Sequence, residues 1–220
     1  MTAKSIVVLI SGSGSNLQAL LDHFADQPER ARISAVISNR ADAYGLERAK
    51  AVGVPTHVLS HRDYPARLSF DLAMTEVIDR YQPDLVILAG FMRILTPEFS
   101  EHYNGRLFNI HPSLLPKYKG LDTHQRALDA GDSEHGCSVH FVTAELDGGP
   151  VIIQARTPVQ SDDTVDSLAQ KVHQLEHRIY PLAAQWFVDG RLQLEARGVV
   201  LDDRLLPPTG HEFEIFSAEH

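Results

Sequence analysis

Cysteine is nearly absent: the chain holds one, Cys137, so no disulfide can form within it. No segment approaches the roughly 20 consecutive apolar residues that a membrane helix needs. The apolar opening at residues 6–10 is too short for a signal peptide and lacks a small-residue cleavage site. It runs straight into Ser11-Gly12-Ser13-Gly14. A single thiol without a secretory signal points to a cytoplasmic protein. Basic residues are also few, with 20 Lys and Arg against 29 Asp and Glu and a formal net charge of -9. Nucleic-acid binding calls for a basic footprint, so small-molecule substrates are expected, with no nucleic acid and no membrane partner. Repeats and low-complexity linkers are missing as well. One domain over residues 1–220 is expected, with a polar tail from residue 198 that includes Pro207-Pro208.

What is present is an alternation of short apolar runs with helix-period segments, the pattern of a mostly parallel sheet with helices on both faces. The expected fold class is α/β and Rossmann-like. Strands fit residues 5–10, 32–37, 56–59, 85–89, 106–110, 136–142 and 150–155, with a weak one at 192–194. Helices fit 17–25, 44–51, 66–81 and 164–187, the last bent near Pro181. Residues 85–89 are continuously apolar, as a strand buried on both faces must be.

In such a sheet, ligands bind beyond the carboxyl ends of the strands, beside the point where strand order reverses. The loops at residues 11–16, 90–95, 109–120 and 145–149 all follow strands. With the strands parallel they converge on one site. The first, Ser11-Gly12-Ser13-Gly14-Ser15-Asn16, opens a helix and has the makings of a phosphate cradle. It is an incomplete dinucleotide fingerprint, because Leu17 stands where a third glycine belongs. The second strand ends in Ser38-Asn39-Arg40 rather than in an acid, and no P-loop Lys follows. An ordinary turn capped by Ser15 or Asn16 is the lesser alternative.

Asn109 and His111 lie two apart on an extended segment, so their side chains share a side. An amide donor beside an imidazole makes an oxyanion clamp, and a plain strand-end turn fits the same spacing. Asp147, in Glu145-Leu146-Asp147-Gly148-Gly149-Pro150, reads either as a turn former or as the carboxylate that holds a nearby imidazole charged. His173 and His177, with Glu176 between them, match a zinc spacing. No third ligand stands at a distance, so no metal is expected. His57 and His61 read as surface residues. Lys117, Lys119 and the glycines at 120 and 131 suggest a mobile loop.

At these residues the chain resembles the phosphoribosylglycinamide formyltransferase family. The resemblance runs from Ile6 to Pro208 and is carried by residues 10–18, 88–95, 109–117, 136–142 and 145–150. It implies a Rossmann-like fold and transfer of a formyl group from 10-formyltetrahydrofolate to glycinamide ribonucleotide. It also implies a catalytic trio of Asn109, His111 and Asp147. Gly14, Ser15 and Asn16 match the family's cradle for the substrate phosphate, and Glu176 matches a residue that meets glycinamide ribonucleotide. Arg67, Met92, Arg93, Ile94, Leu95, Thr143, Ala144, Glu145, Leu146 and Asp147, with Asn109, match segments around the folate. Ser13 departs from the family's usual Asn, and the position of His173 also varies. A monomer or homodimer is expected.

Three other readings share parts of this pattern. Methionyl-tRNA formyltransferases share the Asn109–Pro116 core but need a further nucleic-acid-binding region. Formyltetrahydrofolate hydrolases share the trio, use water as acceptor, and carry an N-terminal regulatory domain ahead of the strand that here opens at Ser5. A non-catalytic nucleotide-sensing module would leave the trio without a purpose.

Overall fold

A computed structural model describes residues 2–214. The chain runs through β1 (Lys4–Ile10), α1 (Ser15–Ala25), β2 (Ala31–Ser38), α2 (Gly45–Ala51), β3 (Thr56–Val58), α3 (Arg67–Asp79), β4 (Leu85–Leu88) and α4 (Pro97–His102). It continues through β5 (Leu107–His111), α5 (Thr123–Asp129), β6 (Glu134–Phe141), β7 (Val151–Pro158) and α6 (Val165–Val188). Last come β8 (Leu192–Glu195), β9 (Gly198–Leu201), β10 (Arg204–Leu205) and β11 (His211–Phe213).

Eight strands form one sheet in the order β11-β7-β6-β5-β4-β1-β2-β3. The order reverses between β1 and β4, where the loops after both strands leave the same edge. The α/β, mostly parallel architecture expected from the alternation is what forms, with one correction. β6 pairs antiparallel to both β5 and β7, so it alone opposes the common direction. Hydrophobic alternation carries no information about strand direction, which is why the reversal was not foreseen.

The two faces bury separate cores. Ile6, Val8 and Ile10 of β1 pack with Leu17, Leu20 and the apolar side of α6, whereas Val7 and Leu9 pack with Phe70, Met74 and Phe99 of α3 and α4. Leu85, Val86 and Ile87 have no exposed surface, and each such burial contributes roughly 1.5–3 kcal/mol. α6 starts in a capping box between Thr164 and Ser167 and continues through Pro181 as one helix. Its Tyr180 hydroxyl lies 2.8 Å from the carbonyl oxygen of Leu88 and 3.2 Å from that of Phe108. That buried contact fixes the depth of α6 against β4 and β5.

The segment read as a polar tail is more ordered than expected. β9 and β10 join the strand expected at 192–194, here β8, in a separate antiparallel sheet, and β11 extends the main sheet beside β7. Residues 215–220 of that tail lie outside the described residues. α4 and α5 were not expected either. His57 and His61 are not free surface groups: His57 meets the Tyr81 hydroxyl at 2.6 Å, and His61 packs edge-on against Phe70. Among the described residues, no helix is long and apolar enough to cross a membrane.

Candidate active site

β5 places Asn109 and His111 on the face shared with the second core, but beyond the cover of α3 and α4. Three polar side chains of neighbouring strands, Ser138 and His140 on β6 and Gln154 on β7, continue this row. Ser138 and Gln154 stitch the loop after β5 onto the sheet. Ser138 Oγ donates to the Ser113 carbonyl at 2.7 Å and accepts from Leu115 N–H at 3.1 Å, while Gln154 Nε2 donates to the Leu115 carbonyl at 2.8 Å.

Because β6 runs backwards, the loop carrying Asp147 leaves from the amino end of β5 and reaches the site by folding back over the sheet. Val142 N–H bonds the Leu107 carbonyl at the start of this path. A Cβ on Gly149 would collide with the Phe141 carbonyl, so only glycine lets the loop lie this close. Asp147 itself is left-handed, at φ 48, a conformation Asp tolerates better than most residues.

His111 and Asp147 meet directly, and Asn109 joins them through His140. His111 Nδ1 is 3.5 Å from Asp147 Oδ2, and both residues are buried. His111 Nε2 donates to the Tyr118 carbonyl at 2.8 Å, and Gly120 N–H donates to Asp147 Oδ2 at 2.9 Å. Residues 118–120 thus sit directly over the imidazole and the carboxylate. Asn109 Nδ2 lies 3.2 Å from His140 Nε2.

His140 was missed as a site residue. Its Nδ1 donates to the Phe141 carbonyl at 2.9 Å, and burial pushes its pKa down to about 4. The ring is therefore neutral with a bare Nε2, which can only accept from the Asn109 amide. The signal was available: Ser138 and His140 are polar at period two within Cys137, Val139 and Phe141.

On the other side of the crevice, the loop after β1 opens α1 with Gly14 as N-cap and no side-chain cap. The expected alternative, capping by Ser15 or Asn16, is not what forms. Asn16 Nδ2 instead donates to Glu176 Oε2 at 2.9 Å, joining two of the foreseen residues across α1 and α6. Burial raises the Glu176 pKa, opposed by this hydrogen bond and by His173. Ser11 Oγ donates to Asn39 Oδ1 at 2.6 Å and accepts from Met92 N–H at 2.8 Å, tying the ends of β1, β2 and β4 together.

Arg67 and Arg93 come from separate segments, yet both act on the buried carboxyl of Asp71, whose pKa burial raises. Asp71 Oδ2 also accepts from Thr96 N–H at 2.7 Å, holding the end of the 92–95 segment against α3. Met92, Ile94 and Leu146 are exposed apolar side chains, and Leu95 packs on the second core. Thr143, Ala144 and Glu145 lie on the loop before Asp147, where Lys119 reaches Glu145 at 2.6 Å. The rings of His173 and His177 stack with 6.4 Å between centroids. Among the described residues no group of three or more His, Cys, Asp or Glu is placed to hold a metal ion. Cys137 is buried within β6.

Residues 4–184 of this Rossmann-like chain match the formyl transferase family model, which makes it a group-transfer enzyme. The chain is 55% identical over 207 residues to the phosphoribosylglycinamide formyltransferase of Escherichia coli, covering 94% of this chain and 98% of that one. It is 45% identical to the human trifunctional purine biosynthetic protein adenosine-3, over 89% of this chain and 19% of that protein. The solved phosphoribosylglycinamide formyltransferase of Coxiella burnetii superposes with a TM-score of 0.92 at 51% identity, over 96% of this chain and all (100%) of that one. The chain belongs to the formyl transferase family, and within it to the phosphoribosylglycinamide formyltransferases.

Proposed function

We propose that formyl transfer proceeds here by direct attack of the acceptor amine, with Asn109 and His111 stabilising the oxyanion and Asp147 orienting His111. The overall reaction moves the formyl group of 10-formyltetrahydrofolate to the amine of phosphoribosylglycinamide, giving the N-formyl product and tetrahydrofolate in purine biosynthesis. The amine nitrogen bonds to the formyl carbon and the carbonyl oxygen becomes an oxyanion. The bond from that carbon to N10 of the folate then breaks. The amine loses a proton and N10 gains one.

The observation that carries this reading is the joined set of Asn109, His111, Asp147 and His140 at the end of β5. The Asn109 amide is oriented by a neutral imidazole that can only accept, so its second N–H is free for an oxyanion. The His111 ring has a carboxylate at Nδ1 and a carbonyl at Nε2. Substrate takes the place of the Tyr118 carbonyl at Nε2, while Asp147 keeps Nδ1, the arrangement by which a carboxylate orients an imidazole. No covalent intermediate is required, and the one thiol lies buried within β6.

The acceptor's phosphate rests on the N–H groups of Gly14, Ser15 and Asn16, whose helix end is left without a side-chain cap. Glu176, bonded to Asn16, meets the rest of the ribonucleotide. The folate lies along Arg67, Met92, Arg93, Ile94 and Leu95 and under the loop of Thr143, Ala144, Glu145 and Leu146. One cytoplasmic domain suffices for the reaction, and no metal takes part in it.

The test is turnover of Asn109→Ala and His111→Ala. Removing one oxyanion donor costs about a hundred- to thousandfold in kcat, with the fold intact by circular dichroism. Near-normal turnover in either variant would overturn the assignment.

A further inference from the structure

We propose that Arg48 and Gly45 of α2 hold the carbonyls of the loop after β1 away from the acceptor's phosphate, Arg48 being a positioning residue for that phosphate. The inference rests on the reading of Gly14, Ser15 and Asn16 as the phosphate cradle.

A loop that binds an anion through N–H groups has carbonyls to dispose of, because their dipoles repel the same charge. Here two of them are tied back by one short helix. Gly12 O accepts from Gly45 N–H at 3.0 Å. Ser13 O accepts from Arg48 Nε at 2.8 Å. The guanidinium is itself fixed: Nη1 donates to Gln18 Oε1 at 3.2 Å, and the group lies 5.0 Å from the centre of the Tyr44 ring. With both carbonyls engaged on α2, the unsatisfied N–H groups of the first turn of α1 are left to a ligand.

The backbones of the loop and α2 also touch. A Cβ on Gly14 would lie 2.6 Å from Gly45 Cα, and one on Gly45 would lie 2.5 Å from Ile10 Cδ1 and 3.2 Å from Gly14 Cα. Gly14 is at φ 70 as well. The position of Gly45 thus sets where Gly14 can sit. Arg48 supplies a planar fork with a charge, which a lysine reproduces only in charge.

Steady-state kinetics with glycinamide ribonucleotide and calorimetric titration with inorganic phosphate, on the full chain, separate positioning from charge. In Arg48→Ala the KM for the ribonucleotide should rise about tenfold or more, the scale of a lost charge-assisted hydrogen bond, with kcat and the folate KM within about twofold. Phosphate affinity should fall in parallel. Gly45→Ala keeps every charge and should show the same pattern, because it pushes the loop. Arg48→Lys, which keeps the charge and adds no bulk beside Gly14, should resemble Arg48→Ala.

Wild-type values in Arg48→Ala would overturn the proposal. So would wild-type values in Arg48→Lys beside a defective Arg48→Ala, since charge alone would then be acting. Thermal unfolding of each variant checks that it folds, and Arg48→Lys decides if Gly45→Ala does not. Wild-type protein whose phosphate affinity depends on Arg48 but which does not formylate the ribonucleotide would refute the transfer reaction and leave the clamp standing. Normal transfer with an indifferent Arg48 would do the reverse.

Discussion

His140 Nε2 stands 3.2 Å from Asn109 Nδ2, and the carbonyl of Phe141 at His140 Nδ1 fixes which of the two groups donates. The Asn109 amide is thus aimed by a neighbouring strand and not by its own. His140→Ala should leave the Asn109 side chain in place but free to turn. A kcat loss of about tenfold or more with KM little changed is expected, one hydrogen bond in size. Steady-state kinetics decide it, and a variant with unchanged kcat would show that Asn109 is aimed by something else.

Asp147 reaches His111 only because its loop folds back over the sheet. Asp147→Asn should abolish most turnover while equilibrium titration shows folate binding largely kept. Loss of binding together with turnover would make Asp147 a structural member of the folate loop. Gly149→Ala should lift the same loop off Phe141, costing about 1–3 kcal/mol of stability as overpacking does and lowering turnover with it. Urea unfolding and kinetics on one preparation test both parts.

Two of the buried imidazoles, those of His135 and His140, set an acid limit. Burial is the main cause in both, aided at His135 by His124, and each pKa falls from 6.5 to about 4. The folded chain keeps both rings neutral over a range in which the unfolded chain takes up protons. The unfolded state therefore binds more protons, and stability rises with pH across that interval. It is fully present above about 6.5 and drains as pH falls toward about 4. Urea midpoints across this interval should show the slope, and His135→Gln should flatten it. An unaltered slope would assign the acid limit to other groups.

Much of this was legible from the residues. The continuous apolar run at 85–88 could only be a strand buried on both faces, and the two-residue spacing of Asn109 and His111 placed them together on one face. The roles proposed for Glu176 and for the folate segments rest on family resemblance, since no spacing expresses contacts made across the fold. α4 had a visible start in Thr96-Pro97, with Thr96 capping Phe99 N–H and Pro97 in the first turn, but six residues are too few for a clear period. The β9–β10 hairpin turns on Asp202 and Asp203, both left-handed at φ 50 and 63. Without glycine there, the usual turn signal was weak. The direction of β6, and with it the folded-back path of Asp147, is set by pairing between distant segments.

The most direct measurement is turnover of 10-formyltetrahydrofolate followed spectroscopically, with and without glycinamide ribonucleotide. Direct transfer requires that tetrahydrofolate appear only when the amine is present, in step with the N-formyl product. Tetrahydrofolate forming equally fast without the amine would make water the acceptor and contradict the transfer mechanism built on Asn109, His111 and Asp147.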